Sequence, residues 1–410
     1  MTSTSATIGS VNELALFGAA PAFVQPLHVG RPNIGERAAL MARFGDLLDR
    51  RWLTNRGPFV EELEARLAEY LGVPHCIAMC NGTVALEIAI RALGMRGEVI
   101  VPSFTFVATA HALQWQEITP VFCDVDPATH NVDPRSVERM ITPRTSGIVG
   151  VHLWGRAAPV DELASIARSR GLRLLFDASH AFGCSHGGSM IGGFGDAEVF
   201  SFHATKFFNT FEGGCVATRD PALAAKIRLM KNFGFAGFDN VTYVGTNGKM
   251  SEVSAAMGLT GLESLSTFVE ANQRNYSLYR ERLDRGPAIS MVRYDESARN
   301  NYQYIILEID EEAAGVNRDE LVRVLQMENV LARRYFYPGC HRMEPYRSYF
   351  PHAGLLLPET ERLCQRVMAL PTGTSIGSPE IERVCSVIQC VLANPAAVRR
   401  QLALTPEKRG

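Results

Sequence analysis

Residues 161–180, with the sequence DELASIARSRGLRLLFDASH, carry the pattern that decides the fold. Leu163, Ile166 and Ala167 recur at helical spacing and predict one buried helix face, which a glycine then ends. The apolar run LRLLF that follows at once predicts a buried strand. A helix that returns directly into a buried strand is typical of a βαβ unit, so this stretch predicts a parallel sheet covered by helices.

The same alternation extends over most of the chain and predicts an α/β fold. Short apolar runs and helix-period segments alternate up to about residue 260, which predicts a large domain with a mostly parallel sheet over residues 26–265. Residues 266–410 have longer helical patterns and fewer strands, typical of a smaller α+β domain. Residues 1–25 show no sustained period, and we expect a mobile or loosely docked arm there.

Composition excludes several classes of protein. The chain has 410 residues, of which 46% are hydrophobic and 20% charged, which is typical of globular proteins and not of disordered chains, collagen-like chains or small disulfide scaffolds. Its 41 basic and 43 acidic residues give a net charge of −2, so we expect no nucleic-acid partner. We also expect no membrane segment, because no apolar run approaches the roughly 18 residues that a span requires.

The cysteines indicate a cytoplasmic protein. Nine of them are spread through the chain without a Cys-x-x-Cys pair, which is typical of reduced thiols. His75, Cys76 and Cys80 lie close together in sequence, but they share one short strand whose side chains alternate between faces. We therefore expect no metal site.

Two polar positions follow predicted strands. Asn81, Gly82 and Thr83 open a helical segment, where unpaired backbone N–H groups can bind an anion; the alternative is an ordinary helix cap. Asp177 comes directly after a buried strand, and in open α/β sheets ligands bind outside the carboxyl ends of the strands. The alternative there is an aspartate that caps the following turn.

Lys206 lies in an unusually aromatic stretch, SFHATKFF, over residues 201–208. Partial burial favours the neutral amine, which can attack a carbonyl and form a Schiff base. The alternative is a lysine whose stem covers apolar surface while its charge stays in water. A phosphate cradle, an acid at a strand end and then a lysine, in this order, are typical of a protein that holds pyridoxal phosphate (PLP).

At these positions the chain resembles the DegT-type, fold type I PLP-dependent aminotransferases that act on nucleotide-linked keto-sugars. The resemblance runs from about residue 31 to 392. It is carried by the motifs LTNRGP (53–58), NGTVAL (81–86), PSFTFVAT (102–109), DASHAFG (177–183), SFHATK (201–206), EGG (212–214) and NGKMSE (247–252).

The resemblance implies a role for each matching residue around the cofactor ring. Lys206 would be the Schiff-base lysine and proton shuttle, and Asp177 would pair with the pyridine nitrogen. Phe106 would stack on the ring face, although an aromatic at the start of an apolar helix is more often part of the core. His180 would lie beside the phenolic oxygen, where family members carry Gln or His.

The resemblance also implies how the phosphate is held. Gly82, Thr83 and Ser201 would bind it from one chain, and Asn247 would reach it from the partner subunit. The active sites would then be shared across a homodimer. Many members carry Ser-Gly-Thr at residues 81–83 and an aromatic followed by a basic residue at residues 248–249, so the roles of Asn81 and Lys249 stay open.

Four further polar residues are candidates for substrate contacts. His152 and Arg156 follow another predicted strand and could face the sugar or the carboxylate of the amino donor. Tyr337 and His341 lie in an aromatic loop of the predicted small domain. For each of the four, plain packing is an equally good interpretation.

The activity that the resemblance implies is transfer of an amino group from L-glutamate to C4 of a dTDP-linked keto-deoxysugar. The product would be dTDP-4-amino-4,6-dideoxyglucose for antibiotic sugars, with pyridoxamine phosphate as the intermediate cofactor form. One alternative is a keto-sugar 3-dehydratase. Members of that class resemble this chain but carry a His in place of the Schiff-base lysine, so Lys206 argues against it. The other is a silent regulatory protein on the same fold, against which the presence of Lys206 and Asp177 argues.

Overall fold

The computed structural model describes residues 7–406, and its centre is a seven-stranded sheet. The strands are β1 His75–Met79, β2 Glu98–Pro102, β3 Thr119–Cys123, β4 Thr145–Val151, β5 Arg173–Asp177, β6 Ala197–Ser201 and β7 Gly214–Thr218. Their order is β1-β7-β6-β5-β4-β2-β3, and only β7 runs antiparallel to its neighbours. The predicted mostly parallel sheet is confirmed.

Helices cover both faces of this sheet, and its strands are therefore buried on both sides. The eight α-helices before residue 264 are Arg37–Arg50, Pro58–Leu71, Gly82–Ala92, Ala108–Gln114, Pro134–Met140, Val160–Arg170, Pro221–Met230 and Glu252–Glu263. Val160–Arg170 ends at Gly171, which takes the left-handed conformation with φ 65° and leads directly into β5. The helix-to-strand return predicted from residues 161–180 is therefore present.

The C-terminal part contains a three-stranded antiparallel sheet in the order β8-β9-β10, made of β8 Ile289–Met291, β9 Ile305–Ile309 and β10 Val367–Leu370. Its helices are Leu265–Leu283, Glu311–Ala314, Arg318–Met327, Tyr346–Tyr349, Pro358–Arg366, Ser378–Ala393 and Pro395–Leu404. One apolar cluster, which contains Phe104, Trp154, Tyr304 and Phe336, joins this part to the central sheet. The predicted boundary at residue 265 stays a prediction.

Short elements complete the described chain. The 3-10 helices are Val11–Glu13, Ala15–Phe17, Leu153–Gly155, Cys340–Arg342 and Ala353–Leu356. The two-stranded pairs are Leu27–His28 with Val330–Leu331, Ser185–His186 with Ser189–Met190, and Phe235–Gly237 with Asn240–Val241.

The N-terminal segment differs from the expected mobile or loosely docked arm. Residues 1–6 of that arm lie outside the described residues. Leu14 and Leu16 are buried in the apolar cluster of the C-terminal part. The buried carboxylate of Glu328 accepts hydrogen bonds from the backbone N–H groups of Ala15, at 2.6 Å, and Ala22, at 2.7 Å. The segment therefore packs against the C-terminal part, and its two short 3-10 helices lack the helical period that sequence reasoning looks for.

Among residues 7–406, no single helix has the length and apolarity needed to cross a membrane. Ser378–Ala393 and Pro395–Leu404, which meet at an angle of 94°, reach that length only when they are counted together.

Candidate active site

Asp177 is the last residue of β5 and lies at the carboxyl edge of the sheet. Its side chain is buried, and one carboxylate oxygen accepts a hydrogen bond from the Thr109 hydroxyl at 2.9 Å. The other oxygen accepts from the backbone N–H of Ser179 at 3.0 Å. Two donors fix the orientation of the carboxylate, and each oxygen keeps a lone pair for a further cationic N–H group.

Lys206 lies in the loop after β6, and its side-chain nitrogen donates a hydrogen bond to the Tyr304 hydroxyl at 3.3 Å. Burial lowers the pKa of Lys206 to about 8, while the negative charge of Asp177 acts in the opposite direction. An ordinary lysine has a pKa of about 10.4. A much larger share of Lys206 is therefore neutral near pH 7, and the neutral amine is the nucleophilic and basic form.

His180 is buried in a group of aromatic rings beside Lys206. Its ring stacks on Trp154 with the centroids 5.8 Å apart, and the Tyr304 ring lies 4.4 Å away. The backbone N–H of Trp154 donates to Nδ1 of His180 at 3.3 Å. Burial, and after it the charge of Lys206, lower the pKa of His180 well below its usual value. The neutral ring with Nδ1 as acceptor then carries its proton on Nε2, which becomes a hydrogen-bond donor.

Gly82, Thr83 and Ser201 lie together where two strands end. Asn81 caps the helix Gly82–Ala92, and its side-chain oxygen accepts from the Val84 N–H at 2.8 Å. Gly82 and Thr83 occupy the first turn, where the helix itself offers no acceptor for their N–H groups.

Glycines allow close packing at this helix start. A Cβ on Gly82 would lie 2.8 Å from Cβ of Ser201, and a Cβ on Gly214 would lie 2.8 Å from the Gly82 nitrogen. Real Cβ atoms do not approach other atoms so closely, so only glycine allows the backbone and Ser201 to meet here. This helix N-terminus, capped by Asn81, is the predicted phosphate cradle, and its contacts with a phosphate stay predictions.

Phe106 lies in the loop between β2 and the helix Ala108–Gln114 and is 57% exposed. Its carbonyl accepts the N–H of Thr109, which in turn binds Asp177. The core interpretation of this ring is therefore wrong. Its predicted stacking on a cofactor ring stays a prediction.

Asn247 is exposed in a loop that runs along the end of β1. The next residue, Gly248, accepts the N–H of Cys80 at 2.9 Å, so the loop lies beside the start of the cradle in its own chain. Lys249 donates to the Asn232 side chain at 3.2 Å and lies over the Phe233 ring at 4.7 Å. The predicted contact of Asn247 with the phosphate of a partner subunit stays a prediction.

Two of the four substrate candidates are buried structural residues. His152 is fully buried, and its ring nitrogens bind Glu198 at 2.7 Å and the Ala158 N–H at 2.9 Å. His341 is 2% exposed, and its ring nitrogens contact Ser103 and Glu361, each at 2.7 Å. Of the two interpretations left open for these histidines, the structure supports packing, because both nitrogens of each ring are already used inside the fold.

The other two candidates contact neither Lys206 nor Asp177. The Arg156 guanidinium donates to the carbonyls of residues 128 and 129, each at 3.4 Å. The Tyr337 ring lies under two guanidinium groups, at 5.4 Å from Arg318 and 4.6 Å from Arg334. Their substrate contacts stay predictions.

Sequence reasoning missed three residues that shape the site: Thr109, Trp154 and Tyr304. Thr109 ends the motif PSFTFVAT, and Trp154 lies between the candidates His152 and Arg156. Only these neighbours in sequence could have pointed to the two residues. Tyr304 is 98 residues from Lys206 in sequence, and no local pattern points to it.

Comparison with known proteins identifies the family. Residues 35–389 match the model of the DegT/DnrJ/EryC1/StrS aminotransferase family. The chain belongs to this family. It is therefore an aminotransferase, and the predicted enzyme class is confirmed.

Relatives of this aminotransferase are similar over almost their whole length. The dTDP-4-amino-4,6-dideoxy-D-glucose transaminase of Shigella dysenteriae is 36% identical over 365 residues, which cover 89% of this chain and 99% of the relative. The GDP-perosamine synthase of Caulobacter vibrioides is 33% identical over 352 residues, covering 85% and 94%. A crystal structure of DesI in the presence of its TDP-sugar product has 49% identity and a TM-score of 0.92, and the match covers 96% of this chain and all of DesI.

Aminotransferases of this family depend on PLP, and the residues of the site fit it. The first-turn N–H groups of Gly82 and Thr83 have no acceptor within their own helix and suit a phosphate, and the fixed carboxylate of Asp177 suits a ring nitrogen that carries a proton. Lys206 has the lowered pKa that a Schiff-base lysine needs.

Proposed function

We propose that this aminotransferase moves the amino group of L-glutamate to C4 of a dTDP-linked 4-keto-6-deoxy sugar. The product is dTDP-4-amino-4,6-dideoxyglucose, a precursor of antibiotic sugars. The names of the relatives support this substrate, above all DesI with its TDP-sugar product at 49% identity. The observation that carries the reaction itself is the lysine of lowered pKa beside the Tyr304 hydroxyl.

PLP, when bound, accepts the electron pair that is left when a proton leaves the carbon bearing the amino group. Lys206 would remove that proton and return it, because its neutral amine is well populated near pH 7. Asp177 would stabilise positive charge at the ring nitrogen, since Thr109 and Ser179 hold its carboxylate in place.

Other side chains would orient the cofactor and exclude water. His180 would donate from Nε2 to the phenolic oxygen, because Nδ1 is engaged by the Trp154 N–H. Gly82, Thr83 and Ser201 would surround the phosphate. The stacked rings behind His180 are buried and leave little room for water on that side.

The proposal includes a homodimer with shared sites, in which Asn247 reaches the phosphate of the partner. Support comes from large apolar side chains exposed near this loop: Phe233 at 46%, Phe235 at 40%, Phe238 at 101% and Val244 at 73%. A cluster of this kind on a protein surface marks a protein interface more often than a free surface. Nine free cysteines within the described chain support a cytoplasmic location.

The test is to incubate the holoenzyme and L-glutamate with keto-sugars and to identify the product by NMR. The panel contains the 4-keto-6-deoxyglucose and 3-keto-6-deoxyglucose derivatives of dTDP, the 4-keto sugars of UDP, and GDP-4-keto-6-deoxymannose. Amination of the dTDP-linked 4-keto sugar at C4 is expected. A preference for the GDP-sugar would favour the second candidate, a function like that of the GDP-perosamine synthase relative.

A further inference from the structure

Trp154 has a strained backbone directly beside the site. Its φ of 60° and ψ of 12° lie in the left-handed region, which a bulky side chain rarely adopts. Strain of this kind persists only where the surrounding structure holds it, and it is concentrated at functional sites. In this conformation the backbone N–H of Trp154 points at His180, whose Nδ1 accepts it at 3.3 Å. The Trp154 segment, residues 152–158, thus presents a hydrogen-bond donor to this histidine.

The other polar groups of Trp154 are bonded as well. The indole nitrogen donates to Nδ1 of His130 at 3.3 Å, and the backbone carbonyl accepts from the Tyr294 hydroxyl at 3.1 Å. The next residue, Gly155, is also left-handed, with φ 86°, and a Cβ there would lie 3.1 Å from the His180 carbonyl oxygen. The segment is therefore held closely against His180 from several sides.

His152 closes the Trp154 segment. Its Nδ1 accepts the N–H of Ala158 at 2.9 Å, a bond that joins the two ends of the segment. The ring proton is then on Nε2, which donates to the Glu198 carboxylate at 2.7 Å, and both side chains are fully buried. The other oxygen of Glu198 accepts from two backbone N–H groups in the loop before β6. Hydrogen bonds on both sides therefore fix the ring of His152.

Asn131 holds the middle of the segment and is 2% exposed. Its side-chain oxygen accepts the N–H of Leu153 at 3.0 Å, and its side-chain nitrogen donates to the Ala157 carbonyl at 3.0 Å. At the start of the segment, the backbone N–H of His152 donates to the carbonyl of Asp177 at 3.0 Å. The segment is thus tied to the strand that carries the carboxylate of the site.

We infer that His152, oriented by Glu198, is a positioning residue that holds Trp154 so that its N–H keeps the proton of His180 on Nε2. This assignment rests on the proposed function, in which His180 donates from Nε2 to the phenolic oxygen of the cofactor. A neutral histidine can carry its proton on either nitrogen, and a fixed donor at Nδ1 decides which. A buried carboxylate and imidazole cost free energy, and apolar side chains of similar size often pack as stably, so the pair is better explained by the position it enforces.

The experiment titrates the absorbance of bound PLP with pH in the holoenzyme, because the absorbance reports the protonation of the link to Lys206. A donor to the phenolic oxygen stabilises negative charge on the cofactor, so losing that donor should move the transition to higher pH. His152→Leu removes both ring hydrogen bonds, and Asn131→Leu loosens the same segment at its middle, should the first variant not fold. The matched control is His341→Leu, which also loses two buried hydrogen bonds but lies outside the segment.

His152→Leu and Asn131→Leu are each expected to move the transition by roughly half a pH unit or more, and the control should titrate as wild type does. His152→Asn keeps an acceptor close to the position of Nδ1 and should recover most of the wild-type titration. His180→Phe keeps a flat ring without nitrogens and should shift the transition by itself. Adding His152→Leu to His180→Phe should then change nothing more, because the shared path is already lost.

Unshifted titrations in His152→Leu and Asn131→Leu would overturn the inference. Equal shifts with and without His180, or a similar shift in the His341→Leu control, would overturn it too, because general loosening would then be the cause. If His180→Phe moves the transition and the segment variants do not, the role of His180 stands and only the inference fails. If His180→Phe titrates as wild type does, the proposed role of His180 is wrong and the inference falls with it. The sugar reaction is tested separately, by the identity of the aminated product.

Discussion

The amine of Lys206 and the hydroxyl of Tyr304 are 3.3 Å apart and joined by a hydrogen bond across the two parts of the chain. Lys206 follows β6 of the central sheet, whereas Tyr304 directly precedes β9 of the C-terminal part. Burial raises the pKa of Tyr304 well above its usual value, so its hydroxyl stays protonated. The packing of the C-terminal part therefore helps to position the reactive amine.

Replacing Tyr304 with Phe removes the acceptor of this hydrogen bond and retains the ring that packs against His180. The ammonium form of Lys206 then loses a stabilising partner, so the pKa of Lys206 should fall below about 8. The rate of amino transfer should fall by about tenfold, the typical effect of one hydrogen bond. The pH dependence of the rate measures both changes.

The control for this variant is Tyr302→Phe. Tyr302 packs against Tyr276 and Tyr294, away from the Lys206 amine. Its hydroxyl can be removed without touching the lysine, so the pH profile should match that of wild type. Equal shifts in both variants would show that the effect comes from general loosening of the aromatic cluster.

The pKa of Lys206 also predicts how cofactor-free protein takes up PLP. Only the neutral amine attacks the aldehyde, so covalent attachment should speed up about tenfold per pH unit below pH 8 and level off above it. Absorbance follows the reaction, and borohydride trapping with peptide mapping should find the label on Lys206 alone. A rate that keeps rising to pH 10 would indicate an ordinary, exposed lysine, and Lys206→Ala should show no attachment at all.

Asp177→Asn tests the partner of the ring nitrogen. The two side chains have nearly the same shape, so thermal unfolding should change little, whereas the rate should fall by orders of magnitude because a neutral ring nitrogen accepts electrons poorly. Thr109→Val removes only one donor to the carboxylate and should lower the rate by about tenfold. Near wild-type turnover of Asp177→Asn would disprove the assignment.

Local patterns predicted most of the fold. The predicted run at residues 172–176 overlaps β5, which is shifted by one residue to Arg173–Asp177, and the helix face predicted from Leu163, Ile166 and Ala167 belongs to Val160–Arg170. The antiparallel direction of β7 was not predictable, because strand direction depends on partners distant in sequence. The docking of Leu14 was missed for the same reason, since its contacts are with the C-terminal part.

The site residues that could be predicted are those with a signal in the neighbouring sequence. Asp177 ends the buried strand β5 and Lys206 lies in the loop after β6, and the position of each near a strand end is visible in sequence. For His152 and His341 the sequence left packing and substrate contact open, because a histidine with both nitrogens bonded inside the core looks, in sequence, like any other histidine. Tyr304 was missed because a contact over 98 residues leaves no local signal.

The docked N-terminal segment predicts a further effect on stability. Glu328→Gln places an N–H group where the carboxylate accepts from Ala15 and Ala22, so one buried N–H should lose its partner. The cost is about 1 to 3 kcal/mol of the free energy of unfolding. Thermolysin, which cuts before large apolar residues, should cleave residues 8–25 faster. Glu138→Gln, on an exposed helix surface, is the control and should leave both measurements unchanged.

The proposed sharing of the site predicts complementation between two inactive variants. Lys206→Ala lacks the reactive amine, and Asn247→Asp places a negative charge where the phosphate of the partner subunit would lie, so each homodimer should be inactive. In a mixed dimer, one of the two sites combines Lys206 of the Asn247→Asp chain with Asn247 of the Lys206→Ala chain and is intact. Activity should therefore return after subunit exchange, up to about a quarter of wild type for random pairing, since half of the dimers are mixed and each has one working site of two.

Subunit exchange must be measured independently, for example by mass spectrometry of dimers formed from one tagged and one untagged variant. Asn247 is exposed within its own chain, and its loop lies beside the start of the cradle of that same chain. If Asn247 served its own phosphate, the Asn247→Asp chain would carry both Lys206 and the damaged contact in one site, and no mixture could restore activity. Confirmed exchange without recovered activity, or an active species that sediments as a monomer, would therefore refute the shared site, whereas recovery excludes a site formed within one chain.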